Sequence, residues 1–173
     1  IETTPLTTLP ASCMFLQDEE FEYRIPDRPQ FAKVDYTGAD VQDVVPGRYE
    51  TMAIMDIKAM YHSNVKLHTI CWTTLSDQGQ DCGNGTKFTQ DKDGLLGRTM
   101  DKLTVKRNEY KALMKQALAD GDMTAYKKWD GAQFATKSMV ASLYGVAGDS
   151  KYGLYHPEIA SSITFTSRQT LFR

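Results

Sequence analysis

The nine residues K-S-M-V-A-S-L-Y-G, Lys137 to Gly145, decide the fold of this chain. They complete a stretch of helical periodicity that starts near Thr124 or Asp130 and ends at Leu143. One face of the predicted helix is apolar and carries Ala132, Ala135, Met139 and Leu143. A different face carries Gln133, Lys137, Ala141 and Tyr144. The pattern therefore predicts an amphipathic helix that projects a lysine away from its apolar stripe, and Gly145 and Gly148 are expected to end it.

A second long helix is predicted just upstream, from Leu95 to Ala119. Its apolar stripe recurs at three-, seven- and four-residue steps and consists of Met100, Leu103, Tyr110, Leu113 and Ala117. Arg107 and Lys111 are four residues apart and lie together on another face. The sequence Asp120-Gly121-Asp122 breaks the helix. Two antiparallel helices follow, and their hairpin can present Arg107, Lys111 and Lys137 to one anion.

A carboxylate is expected at the end of a buried strand. The turn signal Pro46-Gly47 precedes R-Y-E-T-M-A-I-M-D, Arg48 to Asp56, whose apolar part, Met52 to Met55, predicts a buried strand. Strand ends in open sheets are common ligand sites. Magnesium binds through one or two carboxylates together with substrate phosphates, so Asp56 is a candidate ligand. The alternative is an ordinary surface or capping aspartate.

The remaining segments give weaker patterns. A short strand is predicted at Met14 to Gln17, residues 76 to 94 are expected to be rich in turns, and Ala160 to Arg173 is predicted as a last helix despite the β-prone residues Ile163 to Thr166.

Composition excludes several classes of protein. The chain has 41% hydrophobic and 24% charged residues and a net charge of -2, which is typical of a globular segment. It has no apolar run long enough to span a membrane and no visible secretory signal. Its three cysteines indicate reduced thiols, and His68, Cys71 and Cys82 match no zinc spacing. The segment from Arg98 to Lys115 contains six basic residues and only two acidic ones, which indicates either an anion-binding surface or a solvated helix face.

Two of these stretches resemble motifs of family B DNA polymerases. Lys137 to Gly145 resembles the fingers-helix motif K-x-x-x-N-S-x-Y-G, and D-I-K-A-M-Y-H-S, Asp56 to Ser63, resembles the first catalytic motif D-x-x-S-L-Y-P-S. The similarity extends from about residue 36 to residue 171. It includes Y-T-G-A-D-V (Tyr36–Val41), P-G-R-Y (Pro46–Tyr49), G-L-L (Gly94–Leu96), K-R-N-E-Y-K (Lys106–Lys111) and Y-H-P-E-I-A (Tyr155–Ala160), continuing through Thr164 and Arg168.

The resemblance implies an α+β fold, with part of an antiparallel palm sheet and a two-helix fingers hairpin. Residues 1–88 would form the N-terminal part of the palm with the first catalytic motif. Residues 89–143 would form the fingers hairpin, and residues 144–173 would return to the palm.

The resemblance also implies roles for individual residues. Asp56 would be the catalytic metal ligand for Mg²⁺, with the Ile57 carbonyl beside it. The nucleotide would be bound by the amides of Ala59 and Met60, by Tyr61 as the sugar-selecting residue, and by the phosphate-holding cations Arg107, Lys111 and Lys137. Ala141, Tyr144 and Gly145 would lie near the nascent base pair.

The sequence departs from the family pattern at four of these positions. Ala59 replaces the usual Ser, His62 the usual Pro, Gly97 another Pro, and Ala141 the usual Asn. The second carboxylate motif, Y-x-D-T-D, does not occur in these 173 residues. The residues alone are therefore expected to be inactive, and the divergence suggests a viral or phage source.

The predicted function is part of a DNA-directed DNA polymerase that extends a primer 3′ end by two-metal nucleotidyl transfer. Its partners would be primer-template DNA, deoxynucleoside triphosphates and the remaining polymerase domains, in the same or another chain, with no membrane. It would act in the cytoplasm of a bacterial or viral host cell. The alternatives are an inactive nucleotide- or DNA-binding module derived from such a polymerase, one chain of a split polymerase, and a plain structural helical domain.

Overall fold

The computed structural model describes residues 31–40, 43, 45–54 and 56–172. The elements are, in chain order, α1 (Met60–Leu67), β1 (Leu75–Asp81), β2 (Lys87–Phe88), α2 (Leu95–Ala119), α3 (Met123–Gly148) and α4 (Pro157–Leu171). Four helices and a two-stranded antiparallel sheet confirm the α+β class. No helix among the described residues combines the length and the apolar character needed to cross a membrane. The strand predicted at Met14 to Gln17 lies outside the described residues.

Helices α2 and α3 form the predicted antiparallel hairpin, and α2 has the predicted bounds. Gly121 makes the turn with a positive φ of 73°, which glycine adopts at little cost. Asp122 then caps α3, because its Oδ1 accepts hydrogen bonds from the amides of Thr124 (3.0 Å) and Ala125 (2.9 Å).

Helix α3 is longer than predicted and continues through Gly145 to Gly148. A glycine inside a helix costs about 1 kcal/mol relative to alanine. The last turn offsets that cost by burying Val146 and Ala147, which are 5% and 0% exposed. The backbone leaves the helix at Asp149, which is extended.

The hydrophobic core lies where the base of the hairpin meets α1 and α4. Its residues include Val65, Ile70, Phe88, Leu96, Met100, Leu103, Leu143, Ile159 and Ile163. The outer half of the hairpin contributes little to it. The predicted stripe residue Leu113 is 38% exposed, and on α3 the predicted Ala135 is exposed whereas Thr136 is 5% exposed. The hairpin thus projects from the core, and most of its buried residues lie at the base, although the predicted Ala117 near the tip is also buried, at 6% exposure.

Residues 76 to 94 contain a β-hairpin in addition to turns. Strands β1 and β2 pair antiparallel, with Gln80 opposite Phe88, and the fully buried Phe88 ring anchors the sheet to the core. The glycines of this segment lie where the backbone is closely approached or where their amides donate hydrogen bonds. A Cβ on Gly79 would lie 2.4 Å from the Phe88 carbonyl carbon, and the Asp81 carboxylate accepts hydrogen bonds from the amides of Gly83 and Gly85.

The strand predicted at Met52 to Met55 is wrong for the described residues. Residues 52–54 have no regular structure, and Met52 and Ile54 are 70% and 87% exposed. Met55 lies outside the described residues. A strand needs a neighbour to satisfy its backbone hydrogen bonds, and the two strands in the described part of the chain pair with each other.

Helix α4 confirms the last predicted helix, although it starts earlier, at Pro157. Pro157 occupies the first turn, where its missing amide hydrogen is not needed. Thr164 and Thr166 are accommodated because their hydroxyls bond to carbonyls of the preceding turn, as Thr166 does to Ser162 (2.8 Å).

The segment of residues 31–40 packs on α4 and the end of α3. The Val34 amide donates to the Tyr155 hydroxyl (2.9 Å), and the Thr37 carbonyl accepts from Thr164 Oγ1 (3.1 Å) and Arg168 Nη1 (2.7 Å). A Cβ on Gly148 would lie 2.7 Å from the Tyr36 hydroxyl, so this glycine leaves room for Tyr36.

We predict that Gly94→Ala destabilises the fold. Gly94 precedes α2, is buried, and would place a Cβ 2.6 Å from the Cys71 Cβ, so the neighbouring backbone has to shift. Overpacking of this kind typically costs about 1–3 kcal/mol. Gly131→Ala is the matched control, because its site inside α3 is exposed and open. It should instead stabilise by about 0.5–1 kcal/mol. Urea unfolding of the two variants measures the difference, and equal midpoints would contradict the packing argument.

Candidate active site

The predicted metal ligands lie in an irregular segment immediately before α1. Asp56 and Ile57 are both exposed. Among the described residues, no group of three or more His, Cys, Asp or Glu side chains is arranged to hold a metal ion. Cys71 and Cys82 are free and buried. Asp56 therefore presents an accessible carboxylate at the rim of the structure.

The first turn of α1 places two predicted nucleotide-binding amides at a helix N-terminus. Ala59 precedes the helix in the left-handed conformation, with φ 52° and ψ 41°, and its carbonyl accepts from the Ser63 amide (2.9 Å). Its methyl side chain cannot cap the helix. The predicted amides of Ala59 and Met60 thus lie at the positive end of a helix dipole, which favours an anion.

Two predicted site residues from different motifs are in contact. The Tyr61 ring in α1 and the Tyr144 ring in α3 have centroids 5.0 Å apart at an angle of 54°. The Tyr144 hydroxyl lies 3.5 Å from that of Tyr36. Burial raises the pKa of both Tyr61 and Tyr144, and the nearby Arg168 charge only partly opposes this. Both hydroxyls are accordingly held in the neutral form.

The predicted phosphate-binding cations follow one flank of the hairpin. Arg107 Nε donates to Gln133 Oε1 across the helices (3.4 Å), and Gln133 Nε2 donates to Asp130 (3.0 Å). One turn farther out, the rings of Tyr110 and Trp129 stack with centroids 5.8 Å apart. These two contacts define the register of the hairpin.

The register places the three cations in a row rather than at one point. Lys111 is one turn outward from Arg107, whereas Lys137 is one turn inward from Gln133. Each turn of four residues rises about 6 Å, so the row is about 12 Å long at the level of the backbone. Convergence on one anion therefore requires the flexible side chains of Lys111 and Lys137 to bend toward Arg107.

The predicted base-pair residues form an open surface on α3. Ala141 lies one turn after Lys137 and is exposed. Gly145 is also exposed, and no heavy atom lies within 4 Å of where its Cβ would be. Together with the Tyr144 ring, these small residues leave space beside the hairpin flank.

Sequence reasoning missed an interaction between α1 and α2. His62 Nε2 lies 3.0 Å from Asp101 Oδ1, and Lys66 Nζ lies 2.7 Å from Asp101 Oδ2. The hydrogen bond and charge of Asp101 raise the pKa of Lys66. The available signal was the four-residue spacing of His62 and Lys66, which becomes informative only once α1 is known to be a helix.

Comparison with known proteins gives consistent matches. Residues 8–173 match the family model for DNA polymerase family B. The chain is 31% identical over 152 residues to the DNA polymerase delta catalytic subunit of Mesocricetus auratus, covering 79% of this chain and 14% of that protein. It is 28% identical over 182 residues to the DNA polymerase of Paramecium bursaria Chlorella virus NY2A, covering 92% and 20%.

A solved structure has the same fold. The family B DNA polymerase from the hyperthermophilic archaeon Pyrobaculum calidifontis superposes with a TM-score of 0.63 at 22% identity, over 86% of this chain and 20% of that one. The chain thus spans a fifth or less of the length of these relatives.

We predict that Tyr144 makes the fold sensitive to alkaline pH. Its pKa is raised in the folded state above the unfolded value near 10, so its neutral form contributes stability below that pH. The contribution is lost as the pH rises above about 10. The free energy of unfolding from pH 8 to 11 should fall more steeply for the unmodified chain than for Tyr144→Phe. Parallel curves would show that Tyr144 is not the group responsible.

Proposed function

This chain belongs to DNA polymerase family B, and from that membership we propose that it is a nucleotide-binding part of a polymerase that extends a primer 3′ end. The observation that carries the proposal is the contact between Tyr61 and Tyr144 (5.0 Å). It joins a residue of the first catalytic motif to a residue of the fingers-helix motif. The alternative of a plain structural helical domain does not predict this contact between the two motifs.

We assign residues 1–88 to the N-terminal part of the palm, 89–143 to the fingers hairpin, and 144–173 to the return into the palm. The projecting hairpin of α2 and α3 supports this division. Because α3 continues through residues 143 and 144, the last boundary separates roles along one helix. The exposed side chains of Met52 and Ile54 offer an apolar surface to the remaining polymerase domains.

In this proposal the triphosphate is bound from two sides. The amides of Ala59 and Met60 approach it from the start of α1. Arg107, Lys111 and Lys137 approach it from the hairpin flank, where Arg offers a forked donor and Lys a mobile point charge. Movement of the hairpin above its base, which stays packed on α1, brings the two sides together around the correct nucleotide.

Tyr61 and the small residues of α3 surround the rest of the nucleotide. The Tyr61 ring, steadied by Tyr144, lies under the sugar and excludes a 2′-hydroxyl by its bulk. Ala141 and Gly145 border the nascent base pair, where their small size leaves space. The pattern's Asn is missing at Ala141, so its polar contribution is absent here.

The donors at residues 56 and 57 suit magnesium in type. Mg²⁺ prefers oxygen ligands and takes one or two carboxylates together with substrate phosphates, so the Asp56 carboxylate and the Ile57 carbonyl would hold it. When bound, the metal neutralises charge on the attacking and leaving oxygens. A second carboxylate has to come from elsewhere in the polymerase, and we expect these 173 residues alone to be inactive.

One observation favours a second candidate, an inactive nucleotide- or DNA-binding module derived from a polymerase. Ala141 removes a polar side chain beside the proposed base-pair surface. The two candidates differ in whether Asp56 is needed for chemistry, and a single substitution separates them.

In the complete polymerase, Asp56→Asn should reduce primer extension by at least about a hundredfold, because metal stabilisation of the transition state is worth several kcal/mol. DNA binding should change by less than about twofold, since no DNA contact is assigned to Asp56. Asp77→Asn, an exposed carboxylate in β1, is the control and should retain full activity. Normal extension by the Asp56 variant would reject the catalytic assignment and favour the binding module.

Arg107→Ala and Lys137→Ala should each weaken nucleotide use by about ten- to hundredfold in kcat/KM, as expected for a charge-assisted hydrogen bond to phosphate. Lys106→Ala is the matched control, because Lys106 pairs with Glu109 (2.8 Å) beside Arg107. Duplex affinity and its salt dependence should stay unchanged in all three. Loss of duplex affinity with normal nucleotide kinetics would make this flank a DNA-binding surface.

A further inference from the structure

Two departures from the family pattern meet where α1 packs on the first turn of α2. His62 and Gly97 each stand where the pattern has proline. Gly97 is buried, and a Cβ there would lie 3.5 Å from the Lys66 Cγ and 3.8 Å from the Val65 Cγ1. Both distances are ordinary van der Waals contacts, so the Lys66 side chain lies directly against the start of α2.

The same junction carries a hydrogen-bonded group to which the departure at His62 contributes a member. Asp101, one turn after Gly97, receives His62 Nε2 on one carboxylate oxygen (3.0 Å) and Lys66 Nζ on the other (2.7 Å). We call His62, Lys66 and Asp101 the junction latch. The His62 side chain is only 12% exposed, against 50% for Lys66. The partly exposed lysine pair is worth little, so His62 is the stronger link.

We propose that His62 is a positioning residue, which acts through Asp101 to fix the angle between α1 and the base of α2. The inference rests on the proposed function, since it concerns how two halves of the nucleotide site are held relative to each other. His62 directly follows Tyr61, and Asp101 lies on the same unbroken helix as Arg107. The latch therefore joins the amide side of the triphosphate site to its cation side.

The geometry makes the site sensitive to this angle. Arg107 is six residues from Asp101, which is about 9 Å along α2. A rotation of about 10° at the latch displaces Arg107 by about 1.5 Å, which is enough to lose a hydrogen bond to phosphate. Side-chain flexibility recovers part of that distance at an entropic cost.

The test is steady-state nucleotide incorporation by the complete polymerase. His62→Ala and Asp101→Ala should each raise KM for the nucleotide about three- to tenfold, while kcat changes less than about twofold, because phosphate binding is lost equally from ground and transition states. The double variant should be no worse than either single variant. A wild-type KM in His62→Ala, or additive effects in the double variant, would overturn the proposal.

Two further variants separate positioning from simple packing. His62→Gln retains an N–H donor toward Asp101. Its KM should therefore rise by no more than half as much as the KM of His62→Ala. Lys66→Met removes the exposed partner of Asp101 and should stay within about twofold of the wild type. If His62→Gln behaves like His62→Ala, the hydrogen bond is not the cause, and the positioning role is rejected.

Peptide-level hydrogen exchange of the same variants distinguishes failure of the latch from failure of the proposed function. His62→Ala should accelerate exchange in α1, and His62→Gln should not. If Asp56→Asn remains active, the polymerase assignment fails whatever the latch does. If Asp56→Asn is inactive but His62→Ala shows normal KM and normal exchange, the latch alone fails.

Discussion

The structure depends on α3 being one unbroken helix with its two halves in different surroundings. The C-terminal half is buried by Leu143, Val146 and Ala147. The N-terminal half packs only against α2 and is otherwise exposed. Because a helix transmits rotation along its length, the positions of Lys137 and Ala141 depend on how the buried last turns of α3 sit in the core.

The core then gathers the other site elements around this helix. Helix α1 brings Tyr61 onto Tyr144, and α4 holds the segment of residues 31–40 beside the same pair through Arg168. Burial raises the pKa of both tyrosines, so their hydroxyls stay neutral to a higher pH than usual. By contrast, Lys111 and Lys137 carry long, flexible side chains, which suits the phosphate-binding role proposed for them.

Sequence patterns predicted the long helices well and the short elements poorly. The apolar stripe and Asp120-Gly121-Asp122 defined α2, because periodicity and a breaker agree there. The end of α3 was predicted too early, at Leu143, because Gly145 is typical of a helix stop. Burial of the last turn outweighs the low helix propensity of glycine. Strand β1 has no alternation of apolar residues and is stabilised by Phe88 alone. Met52 and Ile54 have the composition of a strand but lack a partner in the described residues.

Membership of the family was predictable from the sequence, whereas the roles of the site residues stay predictions and their arrangement was not predictable. Motif spacing selected the residues whose roles are proposed here, and the resemblance behind it is confirmed. The contact of Tyr61 with Tyr144 depends on packing between distant parts of the chain, which periodicity does not encode. The hydrogen bond between His62 and Asp101 could not be predicted without knowing that α1 is a helix and that it packs on the start of α2.

Two contacts between α2 and α3 constrain how the hairpin can change length during evolution. They pair Arg107 with Gln133 and Tyr110 with Trp129. The tip at Asp120 to Asp122 is exposed, so residues can be added there without disturbing the core. An insertion inside α2 alone would move its side chains along the axis relative to α3, so that these pairs would no longer meet. The hairpin can therefore keep these contacts only if residues are added at its tip or in matched whole turns of both helices.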